Sequence, residues 1–253
     1  MTRNIMLIAL VLTLLSPALA QDLTGQDIIE KVNEIINPEA MHAVMTMVIE
    51  TSSGQERTFV YETFSKNRGE KNLIRYLEPA RTRGQATLML NNADDIWAYF
   101  PRTKRVRKLA EHAKRQKMEG SDFSYEDMGS GDAFITDYHA RRLKDEKVDG
   151  KECYQVELTR KEGSEAGYSR MILWVDKETF VTLVIDYYDL KDPDLKIKRL
   201  VMSEVEIIQG IPTAKKMVMT NVLDNSQTRM EINSVDYNVE LDDDMFTERG
   251  LRE

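Results

Sequence analysis

The sequence predicts a mainly β (α+β) protein: a large antiparallel sheet curled into a barrel or half-barrel, one N-terminal helix, and a long insertion acting as a lid. Three observations lead there. Segments of strand texture follow one another at short, regular intervals, joined by turns rich in Gly, Asn and Asp, as in hairpin-linked antiparallel strands. Helical periodicity is clear in only one early segment. Several strands are apolar on both faces, whereas a sheet with one wet face alternates, so both faces are covered.

In chain order, the first element is a secretory signal: Arg3 as basic region, an apolar run from Ile5 to Leu15, and the small-residue site Ala18-Leu19-Ala20. The run falls short of the roughly 20 residues that cross a bilayer, and Pro17 breaks it, so no stable membrane insertion is expected. Cleavage after Ala20 leaves a single domain over 21–253. The one cysteine, Cys153, lies far from that site. The expected product is therefore periplasmic, released and not lipid-anchored, with no intramolecular disulfide to staple it.

Thr24-Gly25-Gln26-Asp27 has the composition of a helix start. Ile28, Ile29, Val32, Ile35 and Ile36 then share one face, and Asn37-Pro38 ends the helix. Strand texture covers 41–51, 56–65 and 71–77, separated by Ser52-Ser53-Gly54 and Asn67-Arg68-Gly69, and resumes at 85–90, 96–100 and 105–109. The pattern fails over 110–137, which is polar, glycine-bearing and partly helix-compatible, and reads as an insertion or lid. Strands return at 138–148, 152–161, 168–176, 181–190, 196–208, 213–223 and 228–238, about a dozen in all.

Charge and motifs narrow the function. The formal net charge of −8 becomes −9 when Arg3 leaves with 1–20, a poor basis for nucleic-acid binding. Residues 102–117 nevertheless hold eight Lys/Arg against one acid, and 236–248 hold six acids and no base. Such runs either face solvent or steer a partner. With three histidines (His42, His112, His139) and no G-x-S-x-G, no nucleophilic constellation can be assembled. Gly129-Ser130-Gly131-Asp132 lacks the strand-then-helix setting of a nucleophile elbow. Spacing for a metal, a calcium loop or a phosphate-cradling loop is absent as well. The expectation is a protein without catalysis, metal or cofactor. Its notable resource is 14 methionines, among them Met41, Met45, Met47, Met89, Met171, Met202, Met217, Met219 and Met230 on predicted strands. Unbranched thioethers serve equally as core filler or as the wall of a cavity for flexible apolar ligands.

The blocks GQATLML (84–90), DDIWAYFPRTKRVRKL (94–109) and MEGSDFSYEDM (118–128) resemble the outer membrane lipoprotein-sorting proteins, relatives of the periplasmic carrier LolA. That resemblance implies an unclosed half-barrel of about eleven strands, with helices capping a hydrophobic cavity. It also implies a carrier of lipoprotein acyl chains or other lipids towards the outer membrane, associated with an RND/MMPL-type inner-membrane transporter. On this reading Met45, Met47, Phe59, Tyr61, Met89, Trp97 and Tyr99 are expected to line the cavity. Arg102, Lys104, Arg105, Arg107 and Lys108 are expected to dock an acidic partner or anionic headgroups. The competing reading is a non-enzymatic sensor or interaction module of the same fold that binds lipoproteins or a membrane partner.

Overall fold

The computed structural model describes residues 22–129 and 131–253, so the signal segment and its cleavage site lie outside the described residues. Helix α1 (Gly25–Ile36) starts where the sequence places it. The Thr24 hydroxyl accepts the Asp27 N–H at 3.2 Å, and the Thr24 N–H donates to the Asp27 carboxylate at 2.8 Å, a reciprocal capping box. Ile28, Ile29 and Val32 are fully buried. Gly25 sits so close to the backbone of Arg141 and Arg142 that a Cβ there would come within 3 Å of it, which fixes the helix start against the sheet.

The strands are β1 (Ala40–Glu50), β2 (Glu56–Lys66), β3 (Lys71–Glu78), β4 (Ala86–Leu90), β5 (Asp95–Phe100), β6 (Arg105–Lys108), β7 (Tyr138–Arg142), β8 (Glu146–Val148), β9 (Lys151–Arg160), β10 (Arg170–Asp176), β11 (Thr182–Tyr188), β12 (Lys196–Ile208), β13 (Ile211–Asn221) and β14 (Ser226–Asp236). Among the described residues they form one sheet of fourteen strands in the order β6-β5-β4-β3-β2-β1-β14-β13-β12-β11-β10-β9-β7, with β8 paired to β9. Every pairing is a hairpin except β1 with β14, which joins the two halves, and β7 with β9, which spans the short β8. The end strands β6 and β7 do not pair with each other, leaving an unclosed half-barrel.

The strand count exceeds both expectations, in part because 138–148 is two strands. Arg142 and Asp145 close a bend between them at 2.8 Å, and β8 then folds back as a hairpin on β9. On the concave side, residues 109–137 cross the sheet as two short 3₁₀ turns followed by α2 (Tyr125–Gly129) and α3 (Ala133–Thr136). Beneath them lies the main core, which includes Met47, Phe59, Tyr61, Met89, Leu158 and Leu173.

The convex side of β2 to β5 has its own cover. Phe246 and Leu251 of the C-terminal segment bury against Phe64, Leu73, Ala86 and Leu88. Asp243 binds Lys66 and Lys71 at 3.1 and 2.9 Å. The acidic C-terminal run is thus a strap pinned by two lysines. It explains why strands such as Phe59-Val60-Tyr61 to Phe64 carry apolar residues on both faces: the sheet is covered on both sides here.

Candidate ligand cavity

Between the concave sheet and the lid lies a cavity of about 290 Å³, at the low end of the roughly 300–1,000 Å³ typical of ligand pockets. Met41 and Met45 of β1, Met171 of β10, Met202 of β12, Met217 of β13 and Met230 of β14 face it, with Ile185 and Leu200 between them. The lid adds Phe123, Met128 and Phe134. Seven of the 14 methionines therefore converge here among the described residues. They come from strands far apart in sequence, and curvature brings them to one surface. Met41, Met202 and Met217 are half-buried, and neighbouring Ile36 is 44 % exposed, so the cavity opens on this side.

The SDFSYED block of the lid supplies its attachment. The Asp122 carboxylate accepts bonds from the Thr228 hydroxyl at 2.9 Å and the Ser226 hydroxyl at 2.6 Å, and its N–H donates to Thr228 Oγ1 at 2.9 Å. Asp127 accepts the Lys198 ammonium at 2.7 Å, the Tyr168 hydroxyl at 2.7 Å and the Ser124 N–H at 2.7 Å. Lys198 also donates to the Asp122 carbonyl at 3.2 Å and sits over the Tyr168 and Tyr187 rings. At the other end of the lid, Asn37 donates to the Gly131 carbonyl at 2.8 Å, and Asn92 to Asp132 at 2.7 Å. Gly131 has a positive φ of 48°, and a Cβ there would meet the Asn92 side chain and press on the Gly69 carbonyl at 3.2 Å, so glycine is favoured. The lid is therefore held by polar contacts at both ends and by inserted apolar side chains between.

Between the anchors, the Glu126 carboxylate is buried and accepts the Gly167 N–H at 2.8 Å. Burial, reinforced by the neighbouring Asp127 charge, holds its pKa above the usual carboxylate range despite that bond. A carboxyl raised in the folded state weakens the fold above both pKa values, and stability is recovered as pH falls through the folded value. Glu126→Gln keeps an acceptor for Gly167. It is expected to melt higher than the parent at pH 8 and to lose that advantage near pH 4, measured by thermal denaturation across pH. A gap unchanged with pH would show that the desolvated charge is not its cause.

The residues predicted from sequence separate into three groups. Met45 lines the cavity. Met47, Phe59, Tyr61 and Met89 are on the concave side but lie in the packed core outside the lining. Tyr61, for instance, puts its hydroxyl 3.4 Å from the Met45 and Met230 sulfurs. Trp97 and Tyr99 are a correction: they belong to the opposite face. The register sets Met89 across from Ile96 and Thr87 across from Ala98, so strand alternation turns Trp97 and Tyr99 towards the convex cluster under the strap. Sequence reasoning missed the lid residues Phe123, Met128 and Phe134, and Ile185, Tyr187 and Leu200; the methionine excess was the one available signal.

The basic run also divides. Lys114 pairs with Asp94, Arg115 donates to the Glu165 carbonyl, and Lys117 binds Asp224, so these residues anchor the lid. Lys108 pairs with Asp95 and lies over Trp97. Arg102, Lys104, Arg105 and Arg107 form no ion pair among the described residues; Arg107 stacks on Phe100. The β5–β6 turn that carries Arg102 and Lys104 is at the opposite strand end from the row of Met41, Ser65, Asn72, Met89 and Ile96, as the pairings from β1 to β5 show.

A family model described as "-like: Uncharacterized protein" matches residues 68–253. No curated protein matches the chain. A DUF1329 family protein from Desulfovibrio piger ATCC 29098 is 31% identical, with a TM-score of 0.82 over 90% of this chain and 97% of that one. A putative outer membrane lipoprotein-sorting protein domain from Vibrio parahaemolyticus is 25% identical, with a TM-score of 0.82 over 90% and 98%. A LolA superfamily protein from Nitrosomonas europaea, 24% identical with a TM-score of 0.75 over 89% and 98%, shares the fold. Matched over nearly its whole described length, the chain belongs to the DUF1329 family and has the open half-barrel of LolA-like proteins.

Proposed function

We propose that this protein is a periplasmic carrier that encloses acyl chains of a lipoprotein or another lipid in the methionine-walled cavity and delivers them towards the outer membrane. The observation that carries the reading is a lidded apolar cavity with seven flexible thioethers on its wall. Moving an acyl chain from such a site into water costs about 0.8 kcal/mol per CH₂, so a carrier has to enclose its cargo. Release then needs only an acceptor with higher affinity and a lid that opens, which is a shift between two states and requires no catalysis. An RND/MMPL-type inner-membrane transporter is the proposed source of cargo.

Arg102, Lys104, Arg105 and Arg107, which form no ion pair among the described residues, favour a second interaction, with an acidic partner or anionic headgroups, around the β5–β6 turn. This contact is also what an interaction module of the same fold would use. The test is uptake of a fluorescent C12 to C16 fatty-acyl probe by the purified protein, with and without charge reversal at Arg102, Lys104 and Arg105. Saturable uptake that survives charge reversal is expected. No uptake by the parent protein would leave only the interaction-module reading.

A further inference from the structure

Two buried hydroxyls on the wall of the methionine-lined cavity have no hydrogen-bond partner. Tyr138 and Thr182, each 2 % exposed, line the cavity, and neither side-chain oxygen makes a hydrogen bond among the described residues. Buried polar groups are normally satisfied, because an unpaired one costs its full desolvation. Orphans on a cavity wall therefore point to a polar atom on whatever fills the cavity. An alkane chain alone would satisfy neither.

The register separates the two. Tyr138 faces Arg160 of β9, whereas Thr182 lies in the row of Val175 and Tyr154, well along the same strand. Tyr138 opens β7 directly behind the lid helix α3, and Glu126, Asp127 and Tyr168, which line the same cavity, lie around it. It therefore marks the polar end of the cavity. Burial, reinforced by the acids nearby, keeps its phenol protonated far above neutral pH, so the group is a donor that lacks an acceptor. The neighbouring Tyr168 backbone amide is itself an N–H and cannot supply one.

The lining also limits what the acceptor can be. Among the described residues it contains no Lys, Arg or His, so an ionised carboxylate or phosphate would be buried there without a counter-charge. A neutral carbonyl carries no such cost. We infer that the cargo is held by a neutral acyl carbonyl, of an ester or an amide, which accepts the Tyr138 hydroxyl beneath the lid while the chain runs along the methionines. This rests on the carrier reading and adds to it the linkage that the site recognises. Apolar burial then supplies affinity, and the single hydrogen bond discriminates against a chain without a carbonyl and fixes how deep the cargo sits.

The experiment is calorimetric titration of the full mature chain at pH 7.4 with three neutral probes below their micellar concentrations: 1-dodecanoylglycerol, its amide analogue N-(2,3-dihydroxypropyl)dodecanamide, and 1-O-dodecylglycerol, an ether in which a methylene replaces the carbonyl. The better of the two carbonyl probes is expected to bind about tenfold more tightly than the ether, and it identifies the linkage as ester or amide. Tyr138→Phe, whose folding is checked by its melting curve, is expected to erase that preference while binding the ether as the parent does. Thr182→Val, which removes the other orphan, is expected to keep the preference. Equal affinity of the parent for ether and carbonyl probes, or a preference that survives in Tyr138→Phe, overturns the inference and leaves the carrier reading intact. The comparison in the parent decides the matter even if a variant fails to fold. No binding of any of the three removes both readings.

Discussion

Replacing Lys198 by methionine is expected to destabilise the protein by about 3–5 kcal/mol, because the Asp127 carboxylate, almost fully buried, would lose its counter-charge. Tyr168 and the Ser124 N–H still donate to it, but neither carries charge. Hydrogen exchange should rise first over residues 117–131, since Lys198 also holds the Asp122 carbonyl. The double variant Asp127→Asn/Lys198→Met removes both charges together, and most of the lost stability is expected to return. Chemical denaturation of the two variants measures this directly. A double variant as unstable as the single one would show that the pair contributes by geometry rather than by charge compensation. The same comparison tests whether the lid is a separable element: protection lost over 117–131 alone describes a lid that opens, and protection lost throughout describes a global unfolding.

Met217→Trp is expected to reduce acyl-probe affinity by tenfold or more with little change in melting temperature. Met217 is half-buried at the cavity mouth, so an indole can occupy the space in front of the chain without overfilling the core. Tyr99→Asp serves as the contrasting variant. Because Tyr99 packs on the convex side against the C-terminal strap, its replacement should lower stability there and leave probe affinity per folded molecule unchanged. Met47→Glu is a poor probe of binding, since Met47 is fully buried and a carboxylate there has no partner. Equal loss of uptake in the Met217 and Tyr99 variants would place the ligand somewhere other than this cavity.

Local chemistry made the fold largely legible in the sequence. The Thr24 to Asp27 cap, the Gly and Asn turns and the failing pattern over 110–137 each reflect interactions between near neighbours in the chain. Which residues face the void was much less legible. A strand that is apolar on both faces does not reveal its register, and Trp97 was indistinguishable from Ile96 until the pairing with β4 set the alternation. The C-terminal strap was hidden for a related reason: its acids suggested a solvated run, while Phe246 and Leu251 needed a distant sheet to bury against. The SDFSYED block stood out as a signature, but its chemistry depends on Ser226, Thr228, Lys198 and Tyr168, which lie some 40 to 110 residues away in sequence.

The central claim is that the methionine-walled cavity holds lipid. Native mass spectrometry, combined with lipid extraction, of the mature protein isolated from its own cells without detergent tests that claim most directly. The account predicts co-purifying lipid or acylated peptide at close to one per chain, reduced in the Met217→Trp variant. A bare polypeptide mass, with no lipid in the extract, would contradict it.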